Sequence, residues 1–178
     1  MSSPSPSQSS ALISRVSYDP AEVAVRGSDA ARLFSPVASY EEGGVRYVTV
    51  RLTAKGNEGL REVCHTAEQR EVWRFPSYEF TVREGSIRVA QIRSARPSYV
   101  NALLIASRGV PQRRLCGRNN GMVFADHVRL PGFWGGACAG CKWRDGAARC
   151  SYASQGEPKY SPAGLASLPR PIIEELED

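Results

Sequence analysis

No run of apolar residues in this 178-residue chain approaches the roughly 20 needed to cross a bilayer. The amino terminus, Met1-Ser2-Ser3-Pro4-Ser5-Pro6, has neither the basic nor the apolar region of a signal peptide. The expectation is an intracellular protein, nuclear or cytoplasmic, with no membrane partner. Catalytic signatures are missing too: there is no Walker-type loop, dinucleotide fingerprint or G-x-S-x-G elbow. A zinc deaminase needs H-x-E, yet His65 is followed by Thr66-Ala67 and His127 by Val128-Arg129. Cys64-His65 is a poor nucleophile and base, because neighbours on a helix point about 100° apart. These absences predict a protein that is not an enzyme and has no small-molecule substrate.

Acids are scarce in the second half. Between Gly85 and Gly156, eleven basic residues stand against Asp126 and Asp145, so a chain of net charge +5 carries a segment about nine charges positive. The end, Glu174-Glu175-Leu176-Glu177-Asp178, is acidic. Such asymmetry points to an anionic partner, nucleic acid or an acidic protein.

Apolar residues make up 42% of the chain, enough for a core, while 16 glycines and 12 prolines imply many turns. Residues 1–10 hold six serines and two prolines and lack apolar surface to bury, so 1–12 read as a disordered tail. In the body, 13–110, Val45–Leu52 is a nearly continuous β-branched run that suits a strand covered on both faces. Leu60, Val63, Cys64 and Ala67 recur at helical spacing after Asn57, a candidate N-cap, predicting a helix over 58–71. Residues 78–82 and 87–92 alternate around Glu84-Gly85 and predict a hairpin. Tyr99 to Arg108 predicts a buried helix closed by a left-handed Gly109. The fold class is therefore α+β, a small mixed domain with a hairpin and two or three helices, carrying a loop-rich cysteine module over 111–155 and a proline-containing, acidic segment over 156–178.

That loop-rich segment needs a staple, and cysteines supply it. Cys138-Ala139-Gly140-Cys141 is the C-x-x-C turn that lets two thiolates face one ion, with Gly140 expected to free the backbone, and Cys150 follows. The fourth ligand of a tetrahedral site is Cys116 or His127, giving Cys₄ or Cys₃His around one structural zinc ion. Free buried thiols and a disulfide are the competing readings, although five cysteines cannot all pair internally. Arg113, Arg114, Arg118, Arg129, Lys142, Trp143, Arg144 and Arg149 are the candidate nucleic-acid contacts. The aromatics Phe133, Trp134, Trp143 and Tyr152 among them either stack bases or cover the metal site as a miniature core.

The run Pro131 to Trp143, closed by Arg149-Cys150-Ser151-Tyr152, resembles the signature of a fungal cysteine-rich family, a domain of unknown function in which a GAC-x-x-C-aromatic run leads to R-C-S. The resemblance covers about residues 113–153. The family pattern opens with another C-x-x-C and a third cysteine; here Cys116 is retained, Asn119 stands at the second position and His127-Val128 near the third. The complete pattern is loosely similar to the binuclear zinc cluster of fungal transcription factors, and the substitutions here imply a single zinc. The resulting expectation is a non-enzymatic zinc-binding module with a basic surface; the alternatives are an interaction scaffold with structural zinc and a cysteine-dependent enzyme.

Overall fold

A computed structural model describes residues 24–118, 123–154 and 156–163. The Ser/Pro tail and the acidic end Glu174–Asp178 lie outside the described residues. Within them the fold is the expected mixture of short helices and small sheets, and no helix is long and apolar enough to cross a membrane.

The largest sheet is antiparallel, with β2 (Phe34–Glu42) and β4 (Phe80–Arg83) flanking β3 (Val45–Leu52). Gly43 and Gly44 both take positive φ, 56° and 74°, which lets β2 and β3 join through a tight turn. Val48, Val50 and Leu52 are buried on one face, whereas on the other Arg51 is exposed and Tyr47 and Thr49 are only partly covered, so β3 is fully covered on one face and not on the two that its β-branched run suggests. Thr49 and Thr81 are paired across β3 and β4, and their hydroxyls share a 3.0 Å hydrogen bond.

Two further expectations are corrected. Residues 58–71 are not one helix: Ala54–Glu62 and Ala67–Trp73 are separate, because Thr66 caps the second. Its side chain accepts from Gln69 N–H while Gln69 Oε1 accepts from Thr66 N–H, so two free donors at the start of that helix are satisfied locally. Asn57, expected as a cap, lies inside the first helix, which Thr53 caps instead. The hairpin around Glu84-Gly85 also fails. Gly85 does turn at φ 67°, but β4 pairs with β3 and β5 (Ile87–Arg88) runs parallel to β1 (Val25–Arg26), with 89–93 helical.

Helix Pro97–Arg108 is the centre of the molecule, buried over nearly its whole length. Gly109 ends it in extended backbone, φ −83°, not in the left-handed conformation expected. Glycine is needed for closeness: a Cβ there would lie 2.6 Å from both Ile105 O and Arg129 O. The second carbonyl belongs to β7 (Val128–Arg129), which pairs with β6 (Val110–Pro111) and bridges to Cys138. The cysteine-rich segment is thereby laid directly against the helix. Leu130, Phe133, Ala139 and Trp143 join the same buried cluster as Val50 and Leu104, so the core runs across position 110.

Candidate metal centre

Cys138 ends an extended stretch as the cap of the five-residue helix Ala139–Trp143, on which Cys141 lies one turn later. Lys142 N–H donates to Cys138 O at 2.9 Å, closing that turn. Gly140 is an ordinary helical residue here. The positive φ angles that aim the segment fall before it, at Gly135 (72°) and Gly136 (67°), and after it at Asp145 (55°). The chain then returns through the turn Ala147–Arg149, and Cys150 N–H donates to Ala147 O. Cys116 arrives from the loop after β6, held when Gln112 N–H donates to His127 O at 2.8 Å.

These paths bring Cys116, Cys138, Cys141 and Cys150 together, all buried, with their sulfur atoms within 4.8 Å of one another. Cys116 Sγ is 3.7 Å from Cys141 Sγ and 3.8 Å from Cys150 Sγ. A tetrahedron with metal–sulfur bonds of about 2.3 Å has edges of about 3.8 Å, so the spacing is that of four ligands around a single ion. All five cysteines of the chain are free thiols. The centre can hold a metal ion, and it forms a buried cluster of its own beside the main core, packed by Ala137, Ala147 and Tyr152.

Electrostatics explain why such a site favours a cation. Cys150 Sγ accepts from the Cys138 thiol and from Cys138 N–H at 3.3 Å, which pulls its pKa down to about 4. The same thiol bond, with burial, pushes Cys138 strongly upward, and burial with the Cys150 charge raises Cys141 to about 12. Burial also opposes ionisation of Cys116, but backbone hydrogen bonds from Ser151 and Arg118 outweigh it and lower its pKa. Four neighbouring thiols cannot all give up their protons unless positive charge enters among them.

His127 is buried, but its Nδ1 accepts the Cys116 N–H at 3.2 Å and it is not among the four grouped ligands. Burial keeps its pKa below the usual value, which maintains the neutral ring this bond requires. Ser151, which sequence reading missed as a participant, accepts from Gly117 N–H and from the Cys116 thiol; only its place beside Cys150 in the R-C-S run hinted at it.

The basic residues divide. Arg113, Arg114, Arg118, Arg144 and Arg149 are exposed and form no ion pair among the described residues. Lys142 is half-buried. Arg129 is largely covered, paired with Glu157 and stacked over Tyr152. Trp143 is buried in the main core, its ring 4.5 Å from Tyr99 and 5.8 Å from Phe124. It covers neither the metal centre nor any base-stacking surface. Cys64 and His65 make no catalytic pair: the Cys64 thiol donates to Leu60 O, burial raises its pKa, and His65 is exposed.

The profile of a protein family described as of unknown function, DUF3716, matches residues 102–153, under a third of the chain. The matched stretch contains all four clustered cysteines and begins inside the central helix, upstream of the signature read from the sequence. No curated protein and no solved structure matches the chain.

Proposed function

We propose that the four thiolates hold one structural zinc ion and that the module they staple presents its exposed arginines to nucleic acid, in a non-enzymatic protein of a reducing compartment such as the nucleus or cytosol. The observation that carries the reading is the four-sulfur group itself: S₄ coordination selects zinc or iron, and the 3.7 and 3.8 Å edges suit one ion. The second half of the reading draws on the five exposed arginines, which have no acidic partner among the described residues. A non-enzymatic role is favoured because the clustered thiols are engaged with one another and Cys64 is shut in the core.

Native mass spectrometry of reduced protein, followed by titration of a 20-base-pair duplex at several salt concentrations, tests both halves. One zinc per chain is expected in the wild type and none in Cys141→Ser. Binding that uses three to five phosphate contacts should give a slope of log K against log salt of about −3 to −4.5. A metal-free native protein would overturn the first half; salt-independent or absent binding would overturn the second.

A further inference from the structure

Three of the exposed arginines share one concavity. Arg118, Arg144 and Arg149, with Gly117, Gly146 and the edge of Cys141, border an open pocket of about 410 Å³ beside the cysteine cluster. We propose that this pocket is a phosphomonoester site that takes the terminal phosphate of a nucleic-acid strand; the proposal rests on the nucleic-acid reading above and narrows it.

Among the described residues no carboxylate borders the pocket. The nearest acid in sequence, Asp145, is paired with Arg96 and is not among the residues that line the hollow. Three guanidinium groups around one hollow repel each other unless an anion enters, and guanidinium is the side chain that binds phosphate bidentately. A phosphomonoester carries about −1.5 to −2 at neutral pH and offers three acceptor oxygens, whereas a backbone diester carries a single charge. The monoester is the better match to three cations. Pockets for small ligands run from about 300 to 1,000 Å³, so the hollow admits a terminal phosphate with its sugar.

Two further observations shape the specificity. Among the described residues no aromatic borders the pocket, and Trp143, whose ring would be the natural stacking platform, is committed to the core. The site therefore reads the phosphate and not the base. The rival explanation is that the arginines merely offset the double negative charge of four thiolates around a divalent ion. Against it, the sulfur atoms are hydrogen-bonded to one another, to Ser151 and to backbone N–H, and no guanidinium donates to them among the described residues.

Fluorescence anisotropy on the zinc-loaded full chain tests this, using one 12-nucleotide strand with a 5′-phosphate, a 3′-phosphate or hydroxyl ends, and a phosphoserine peptide. The proposal expects at least one phosphorylated end to bind about tenfold or more tightly than the hydroxyl-ended strand, regardless of base sequence. The double variant Arg144→Gln/Arg149→Gln should bring that ratio close to one while retaining one zinc per chain. Equal affinity for all three strands in the wild type would overturn the pocket yet leave the nucleic-acid reading standing. Absence of binding to every strand, or preference for the phosphoserine peptide over the strands, would overturn the pocket, and the same result together with absent binding to the 20-base-pair duplex would overturn the nucleic-acid reading as well. Loss of zinc from the double variant, with its strand-end ratio unchanged from wild type, would assign the arginines to the metal centre instead.

Discussion

A neutral imidazole has one nitrogen that accepts and one that donates. His127 uses Nδ1 to accept the Cys116 N–H, so Nε2 carries the proton and neither nitrogen is left to ligate an ion. The choice between Cys116 and His127, which spacing alone could not make, falls to the cysteine on this geometry. Cys116→Ser should therefore lose the metal, measured as ions per chain under native conditions. His127→Ala should keep about one ion per chain but bind it some 10–100-fold more weakly in a chelator competition, the usual effect of removing a residue that orients a ligand. Retention by the first variant and loss by the second would reverse the assignment. Cys138 and Cys141 were legible because C-x-x-C is a local geometry that sequence spacing encodes, and Cys150 because a tetrahedral ion needs more than those two ligands. His127 was ambiguous because its role depends on the pairing of β6 with β7, a contact between residues far apart in sequence.

At the level of elements, local periodicity reported which side chains face inward better than it reported partners or boundaries. Leu60 and Cys64 are both buried as their spacing implies, yet the helix that the spacing suggested is broken at Thr66. A capping box competes with helix continuation by satisfying the first-turn donors with side chains. The break has a use: it lets Gln69 reach Asn101 at 2.7 Å on the central helix, and Trp73 Nε1–H donate back to Asn57 O at 2.9 Å. Thr66→Ala should cost about 1 kcal/mol in urea unfolding, and Thr66→Ser much less, since serine restores the accepting hydroxyl. Equal losses for the two would mean that the methyl group, and not the cap, holds this junction. The strand over 80–83 was likewise legible, but its partner was not. Alternation says which face is inward, and says nothing of whether the neighbour is the next strand or β3.

For the whole molecule, the question is how far the metal centre governs folding. Structural zinc in small peptides contributes about 10–16 kcal/mol, as much as the full stability of an ordinary domain, and a loop-rich segment on its own would depend on it entirely. This segment is not on its own. Phe133, Ala139 and Trp143 belong to the buried cluster of the central helix, and Arg83 N–H donates to Val123 O while Ala125 N–H donates to Thr81 O, tying it to β4. The cysteine cluster is a second, smaller core that shares its backbone with the first but little of its packing. Removing the ion should thus loosen the chain from about Cys138 to Cys150 and the loop carrying Cys116, leaving the β2–β3–β4 sheet and the helix Pro97–Arg108 in place. Hydrogen exchange of the reduced protein, with and without a strong chelator, reads this directly. Amides of Lys142, Gly146 and Cys150 should lose protection on chelation, while those of Val48, Val50 and Leu104 keep theirs. Simultaneous loss at both sets would show that the two cores unfold as one cooperative unit and that the ion stabilises the whole fold.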